Sequence, residues 1–325
     1  MRNIMKHLRL SVACIRYSIN GVRVEASIEK AEYYGKFVMA TFKCLPFRQN
    51  LQNIQQVRIA DNTIQCRIDR TSVGDDEMFI LIHPGTTPEN LVSSLQTHIE
   101  PFFLPNVDSL LEILMDEDLG PLPEVQSIKG TWIDGPEVET TFLEDLYEKY
   151  PNQECSLIRP PIYGKLSVNS KMFQVDHLLI KQPENHGLMI LENFTGTCLF
   201  FDDALIDEND LKVFMRKWIS NTAYHNLLVL SVNPLEFWSN EQAILEGIPS
   251  KRWDETTRPT CYKYQSKVLD WVGAADPIYL PFTFRSTSEL VRDTDGKVAS
   301  VFTLPGSFVF CVWSEEQLNM TRMEQ

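Results

Sequence analysis

The sequence lacks the features that mark membrane proteins and nucleic-acid-binding proteins. Its longest apolar runs, such as SFVFCVW, are far shorter than the roughly 20 residues that a membrane helix needs. It has 30 lysines and arginines against 44 aspartates and glutamates, a net charge of −14, and no local basic stripe. Such a charge repels both nucleic-acid phosphates and anionic lipid. We therefore expect neither a membrane span nor a nucleic-acid partner.

A secretion signal is also missing. The amino terminus, MRNIMKHLRLSVACIRY, is interrupted by Arg9 and Arg16 and has no small-residue cleavage site. The seven cysteines have no CxxC spacing, which favours free thiols in a reducing compartment over a disulfide framework. The sequence thus predicts an intracellular protein, cytoplasmic or nuclear, that is not secreted.

The motifs of common catalytic and cofactor sites are absent as well. The chain contains no GxSxG, GxxxxGK(S/T) or GxGxxG, and its six histidines have no metal-ligand spacing. Asp176 and His177 are neighbours on a predicted strand, so their side chains point to opposite faces and do not orient each other. The sequence therefore predicts no enzyme, no cofactor and no metal. A small-molecule hydrolase with an unrecognised site remains a third hypothesis.

One acidic cluster raises the question of a metal site, and its members are Asp202, Asp203, Asp207, Glu208 and Asp210. The cluster lacks the central glycine and the distal glutamate of a calcium loop. Asp207 and Asp210 also stand where a helix is predicted to begin, and carboxylates there cap free N–H groups. We favour helix capping and a solvated loop over a metal site.

The chain does have enough apolar residues for a sizeable core. Of its 325 residues, 43% are apolar and 10% aromatic, which suits about two domains or one elongated array. Residues 12–28 alternate around Asn20-Gly21, so they predict a β-hairpin with Ile15, Tyr17 and Ile19 on one face. Further strands are predicted over 57–68 and 77–83.

From residue 87 the pattern changes to alternating strands and helices. Thr87 and Pro88 predict the start of a helix over 87–99, whereas periodicity leaves 106–115 open between a strand and a short helix. The later segments are predicted as helix, strand, helix and strand in turn, over residues 138–150, 173–180, 186–194 and 197–201.

The stretch DENDLKVFMRKWI, residues 207–219, gives the clearest prediction. Its apolar residues recur at helical spacing and form one stripe, made of Leu211, Phe214, Met215, Trp218 and Ile219. Asp207 stands at the N-cap position. We expect this helix to pack its stripe inward, followed by a strand over 227–232 and a second amphipathic helix over 239–248.

Together these elements predict an α/β fold in which strand–helix units stack as a leucine-rich-repeat-like array, although no strict leucine ladder is visible. An N-terminal β-hairpin region precedes the units. Residues 249–262 read as a linker or long loop. A C-terminal three-strand β-meander is predicted over 289–313, with turns at Asp295-Gly296 and Pro305-Gly306.

The segment CLFFDDALIDENDLKVFMRKWISNTAYHNLLVLSV resembles the core of the type 2 F-box-associated domain of a large nematode family of F-box proteins. That pattern runs from a strand through a short loop to Asp-Leu-Asn, an aromatic residue, a lysine, a tryptophan and a leucine-rich strand. Lys212 stands where the family usually has asparagine. The residues that match the pattern are Asp210, Leu211, Phe214, Lys217, Trp218, Ile219, Leu227 and Leu230.

The segments ILEGIP and VRDTDGKVASV…FVFCVW are similar to the family's following segment, in which an Arg-x-x-Asp-Gly-Lys hairpin leads to a terminal Val-Trp. The resemblance covers roughly residues 173–313. It implies the substrate-recruiting part of an F-box protein in a cullin–RING ubiquitin ligase, without transfer chemistry of its own. The target is an unknown protein, and a ligase-independent binding module of the same family is the alternative.

The resemblance also implies an N-terminal F-box, which docks on the Skp-type adaptor of the ligase. The start MRNIMKHLRLSV supplies only the tail of such a module, so we expect adaptor binding only if an F-box is encoded upstream. The expected organisation is residues 1–11 as an F-box remnant, 12–172 as hairpin and α/β units, 173–250 as the F-box-associated core, 251–313 as linker and meander, and 314–325 as a flexible tail.

Three tryptophans in or beside loop-like stretches are candidate anchors for a partner protein. They are Trp132 in KGTWIDGPE, Trp238 in LEFWSNE and Trp253 in SKRWDET. An exposed tryptophan is a common anchor of interfaces. The alternative is that each covers a local edge of the core.

Overall fold

The computed structural model describes residues 12–20, 23–32, 35–46, 55–59, 62–70, 77–83, 92–93, 95–97, 100, 108–115, 122–236, 238, 241–252, 258–259, 261–262, 282–283, 288–304, 306–315 and 317–318. The chain divides into two compact units. The first comprises Met1–Pro136 and Lys149–Gln153, and the second comprises Glu137–Glu148 and Glu154–Gln325. The boundary predicted between residues 172 and 173 therefore lies inside the second unit. The predicted F-box remnant, residues 1–11, lies outside the described residues.

The first unit contains eight of the described strands. They are β1 (Val12–Asn20), β2 (Arg23–Glu32), β3 (Gly35–Pro46), β4 (Gln55–Ile59), β5 (Asn62–Arg70), β6 (Glu77–His83), β7 (Asp108–Leu114) and β8 (Ile128–Asp134). Their order in the sheet is β4-β5-β6-β3-β2-β1-β7-β8. The β1–β2, β2–β3, β4–β5 and β5–β6 pairs are antiparallel, and β1–β7, β3–β6 and β7–β8 are parallel.

The predicted hairpin is confirmed in β1 and β2. Ile15, Tyr17 and Ile19 are all buried, as their alternation with polar residues predicts. The register pairs Asn20 with Arg23, so Asn20 lies in the strand and not in the turn where the sequence places it. Residues 106–115, for which the sequence left a strand and a short helix open, contain the strand β7. Within the helix predicted over 87–99, residues 92–93 and 95–97 are helical. The predicted helix start at Thr87 lies outside the described residues.

The second unit contains the other described strands. They are β9 (Val138–Glu139), β10 (Cys155–Ile158), β11 (Ile162–Tyr163), β12 (His177–Ile180), β13 (Cys198–Ala204), β14 (Val229–Pro234), β15 (Ser250–Arg252), β16 (Cys261–Tyr262), β17 (Phe282–Thr283), β18 (Ser288–Val291), β19 (Val298–Leu304) and β20 (Ser307–Trp313). Three α-helices are α1 (Thr140–Lys149), α2 (Gly187–Asn193) and α3 (Glu208–Ile219), and short 3₁₀ helices are Lys171–Gln174, Glu184–His186 and Glu241–Leu245.

The main sheet of this unit is half parallel and half antiparallel. Its order is β10-β12-β13-β14-β20-β19-β18-β15. The first four strands are parallel to one another, and the remaining pairs are antiparallel. The α/β class and the C-terminal three-strand meander are thus confirmed, with β-sheet dominating each unit. No helix within the described ranges is long and apolar enough to cross a bilayer.

Three local predictions are wrong in extent or type. The helix predicted over 239–248 is a single 3₁₀ stretch, Glu241–Leu245, because Gly247 has φ +72° and Pro249 follows it. The linker predicted over 249–262 contributes β15 and β16. The strand predicted over 173–180 starts only at His177, because Ser170 caps a 3₁₀ turn before it.

The predicted flexible tail begins with an ordered turn. The Leu318 N–H donates to the Ser314 carbonyl, and the Gln317 side chain is buried. Residues 319–325 lie outside the described residues.

Candidate interaction surface

Helix α3 begins at a capping box. The Asp207 carboxylate accepts hydrogen bonds from the N–H groups of Asn209 (2.7 Å) and Asp210 (2.9 Å), and the Asp210 carboxylate accepts from the Asp207 N–H (3.1 Å). These contacts satisfy N–H groups that have no partner within the helix. Partial burial raises the pKa of the Asp210 carboxyl, and the hydrogen bond from Asp207 opposes the shift. The capping roles predicted for Asp207 and Asp210 are confirmed.

The apolar stripe of α3 faces the core, as predicted. All five stripe residues are buried, and Trp218 has no exposed surface. The ring of Phe310 on β20 meets the rings of Phe214 and Trp218 edge-on, each at a centroid distance of 5.0 Å. Leu227 and Leu230, which precede and form part of β14, are buried as well. The Lys217 ammonium lies 3.1 Å from the Glu192 carboxylate. These contacts therefore stabilise the packing of α3 in the second unit.

The turn between β18 and β19 closes over Trp218. The Arg292 side chain is only 3% exposed, and its guanidinium carbon lies 5.3 Å from the centre of the Trp218 ring. The Arg292 Nε and Nη2 donate to the two Asp295 oxygens at 2.9 and 2.6 Å. The guanidinium holds the pKa of the Asp295 carboxyl well below its ordinary value. We call Trp218, Phe310, Arg292 and Asp295 the Trp218 corner.

This corner brings together two segments that are distant in the chain, helix α3 and the turn between β18 and β19. Besides the contact of Arg292 with Trp218, the Asp293 N–H donates to the Ile219 carbonyl at the end of α3 (2.8 Å). Gly296 has φ +69°, a conformation that favours glycine. The helix and the Arg-x-x-Asp-Gly-Lys turn are therefore parts of one packed arrangement.

A polar network ties together the carboxyl ends of three parallel strands. Lys181, Asp202 and Asn233 lie on β12, β13 and β14 or directly after them, in register at one edge of the sheet. The Lys181 ammonium donates to one Asp202 oxygen, and the Asn233 amide donates to the other at 2.6 Å. The Asp202 side chain is 13% exposed. Asp202 therefore cross-links strands, and the solvated loop predicted there is wrong for this residue.

Four exposed apolar side chains follow these strand ends. The six large apolar residues that are exposed in the described part of the chain include Tyr163 (44%), Leu188 (37%), Leu205 (44%) and Leu235 (55%). Leu205 and Leu235 directly follow β13 and β14, whereas Tyr163 lies in β11, five residues after β10 ends, and Leu188 lies in α2, eight residues after β12 ends. Because the carboxyl ends of parallel strands meet at one edge of the sheet, the four side chains lie on segments that leave that edge. We call them the carboxyl edge.

Backbone contacts fix this edge. The Leu235 N–H donates to the Ala204 carbonyl (3.0 Å), and the Ile162 N–H donates to the Gln182 carbonyl (3.3 Å). Gly187, which precedes Leu188, packs against the side chain of Ile206, which follows Leu205. The edge residues are thus held on neighbouring segments.

Trp238 is not an exposed anchor. Its side chain is 7% exposed, and its indole N–H donates to the Ile206 carbonyl at 3.0 Å. The exposure expected of Trp238 is wrong, and its buried side chain fits the alternative, that it covers an edge of the core. By binding Ile206, Trp238 supports the segment that exposes Leu205.

Of the other two candidate tryptophans, Trp132 lies within the described residues and Trp253 does not. Trp132 lies half-buried on strand β8 and not in a loop. The Arg16 guanidinium lies 5.1 Å from the centre of its ring and 3.7 Å from the Glu112 carboxylate. Trp253 lies outside the described residues.

Acidic side chains stand close in sequence to the leucines of the carboxyl edge, whereas the exposed cations Arg159 and Lys165 stand close to Tyr163. Asp203, Asp207 and Glu236 are exposed, and Glu184 is half-buried. Asp203 and Glu184 have φ of +50° and +51°, so both adopt the left-handed backbone conformation that is uncommon outside glycine. In the portion of the chain that the structure describes, no group of three or more His, Cys, Asp or Glu side chains is placed to hold a metal ion.

Sequence reasoning missed the carboxyl edge. The register of β13 and β14 brings Leu205 and Leu235 together, and the contacts of Ile162 and Gly187 join the segments of Tyr163 and Leu188 to them. An apolar residue a few positions after a predicted strand, as at Leu205 and Leu235, was the signal available. No protein-family model, curated protein or solved structure matches this chain.

Proposed function

We propose that this protein is a non-catalytic, intracellular protein-interaction module, similar to the substrate-recruiting part of an F-box protein, and that it binds its target through the carboxyl edge. The observation that carries the proposal is that four of the six large apolar residues exposed in the described part of the chain lie on the segments that follow the carboxyl ends of β10, β12, β13 and β14. Clustered apolar side chains on a soluble protein commonly mark an interaction site.

The rigidity of the edge supports the same proposal. Lys181, Asp202 and Asn233 link the strand ends, and Trp238 binds the segment after β13. A surface that is ordered before binding loses less conformational entropy when a partner docks. Apolar side chains that are held in place by linked strands are therefore suited to bind a folded segment of a partner.

The family likeness supports the ligase-linked form of the proposal. The residues of the resemblance pack at the Trp218 corner as parts of one arrangement. We further propose that β10, β12, β13 and β14, which are parallel neighbours in the sheet, are successive units of a leucine-rich-repeat-like array. In this view the loops after each strand form the recognition surface and the helices stabilise it.

Site-specific photo-crosslinking tests the binding role. A photoreactive residue replaces Leu235 in one version of the full chain and Val168, which is 60% exposed, in a matched control. We expect a discrete protein to crosslink at position 235, to be missing at position 168, and to disappear when Leu205→Ser is added. Equal crosslinking at both positions, or none at 235, contradicts the proposal.

The ligase link is tested on the crosslinked partner. If the chain recruits substrates, the Skp-type adaptor co-purifies with a version that includes an F-box encoded upstream, and the partner carries ubiquitin in a manner that depends on Leu205 and Leu235. A crosslinked partner without adaptor or ubiquitin overturns the ligase-linked form and favours the ligase-independent module.

A further inference from the structure

We propose that the partner segment bound at the carboxyl edge is a basic amphipathic helix, with apolar residues on one face and lysines or arginines beside them. This inference rests on the proposed binding function of the edge and names the chemistry of its partner. Three observations carry it: the apolar side chains, the sign of the charges around them, and the hydrogen bonding of the strands beneath.

The charges around the leucines favour a cationic partner. Asp203, Asp207 and Glu236 are exposed beside Leu205 and Leu235. The nearest lysine of the network, Lys181, is engaged by the Asp202 carboxylate, so it does not offset these acids. The chain as a whole carries −14. Complementary charge speeds association with a basic segment and disfavours an acidic one.

The same charges argue against two other occupants. Anionic lipid is repelled by an acidic surface. A second copy of this chain would bring the same carboxylates against one another, because a two-fold interface apposes one surface patch with itself. A basic protein segment meets neither obstacle.

The hydrogen bonding of the strands favours a helix over an extended peptide. Strands β12, β13 and β14 are each paired on both sides, so at this edge they offer no free ladder to an added strand. Binding by strand addition depends on such a ladder, whereas a helix satisfies its own backbone and contributes only side chains. The leucines would contact its apolar face and the acids its flanking cations.

Synthetic peptides test the inference. The probe is a fluorescent peptide of leucine and lysine of about 18 residues, long enough to form a helix on a surface, with its leucines at helical spacing. One control has the same composition with the leucines dispersed around the helix. The other has glutamate in place of lysine. We expect the full chain to bind the probe at least about tenfold more tightly than either control.

Matched variants of the chain locate the binding. Leu205→Ser with Leu235→Ser should weaken probe binding about tenfold. Asp203→Asn with Glu236→Gln should weaken it about threefold and reduce its salt dependence. The controls are Val168→Ser with Val213→Ser, and Asp293→Asn with Glu315→Gln, which should stay within about twofold. Asp293 and Glu315 are exposed acids at the opposite end of the parallel strands.

The outcomes separate this inference from the function on which it rests. If a protein crosslinks at position 235 but the probe does not compete with it, the partner chemistry is wrong while the binding role stands. If crosslinking and probe binding both fail, the binding role fails. Equal binding of the lysine and glutamate peptides, or of all variants, overturns the inference. So does a dimer that dissociates when Leu205 and Leu235 are replaced.

Discussion

In the second unit, large apolar side chains are buried at the amino ends of the parallel strands and exposed at their carboxyl ends. At the amino ends, the segments before β12, β13 and β14 contain Val175, Phe194, Tyr224 and Leu227, and each is at most 5% exposed. At the carboxyl ends, the four members of the carboxyl edge are 37–55% exposed. The same sheet therefore has one closed end and one open end.

The difference shows where stability and recognition reside. The closed end includes the Trp218 corner, where the Arg292 guanidinium lies against the Trp218 ring and donates to the Asp295 carboxylate. At the open end, Lys181, Asp202 and Asn233 are hydrogen-bonded to one another, but large apolar side chains face water. Since α3 runs from the open end at Asp207 to the closed end at Ile219, substitutions along it and around it can distinguish the two roles.

The largest effect is expected at the closed end. Trp218→Ala should lower the free energy of unfolding by about 3–5 kcal/mol, because it leaves a cavity between α3 and β20. Trp218→Phe, which keeps an aromatic ring against Phe310, should cost less. Chemical denaturation followed by circular dichroism measures both. A loss below about 1 kcal/mol for Trp218→Ala would show that the closed end is not a tightly packed core.

The second-largest effect on stability is expected from the Arg292–Asp295 ion pair of the Trp218 corner. Asp295→Asn should lower the free energy of unfolding at pH 7 by about 1–2 kcal/mol, because a buried guanidinium loses its carboxylate while solvent screens the half of the pair that is exposed. The pKa of Asp295 is depressed in the folded state. Its stabilising contribution is therefore complete above its unfolded pKa of about 4 and is lost as the pH falls below that value.

Denaturation midpoints of wild type and Asp295→Asn between pH 7 and pH 2 check this behaviour. The gap between the two proteins should narrow as the pH falls below about 4. The matched control is Asp293→Asn, at an exposed carboxylate of the same turn. A gap that is constant with pH would mean that the ion pair does not stabilise the corner.

A smaller effect is expected where α3 meets the open end. Asp207→Ala removes the cap of the helix and should cost about 1 kcal/mol. Asp207→Ser keeps an oxygen acceptor for the N–H groups and should cost little. The comparison of unfolding midpoints tests whether the capping box contributes at an exposed site. Equal losses in both variants would indicate a role for the charge of Asp207 rather than for its hydrogen bonds.

The smallest effect on stability is expected at the open end itself. Leu205→Ser with Leu235→Ser should change the free energy of unfolding by less than about 0.5 kcal/mol, since both side chains already face water. The same double variant is the one expected to lose partner binding. A destabilisation comparable with that of Trp218→Ala would show that these leucines belong to the core and that the two ends do not differ.

The closed end was largely predictable from sequence, because its determinants are local. The spacing of Leu211, Phe214, Met215 and Trp218 predicts the buried face of α3, and Asp207 with Asp210 predicts its start. The meander was predictable from its alternating residues and turns. The approach of Arg292 to Trp218 was not, because it depends on how β18 and β19 pack against the helix.

The open end was not predictable, because each of its members is ordinary when taken singly. One exposed leucine needs no explanation on a protein surface. Their grouping depends on parallel register, as does the network in which Asp202 meets residues 21 and 31 positions away. Trp238 was misread for the same reason, since its acceptor lies 32 residues earlier in the chain. Long-range contacts of this kind leave no periodic signal.

The pairing of β14 with both β13 and β20 has a consequence for measuring motion in this protein. Val229 pairs with Cys198 on one side and with Cys311 on the other. Both thiols are buried, and burial raises the pKa of Cys198 to about 12 and that of Cys311 well above its ordinary value. A thiol reagent reacts with a thiolate that it can reach, so these two sulfurs react only when the sheet opens around them. The rate at which these two cysteines are alkylated in the native protein therefore reports how often the three strands separate transiently.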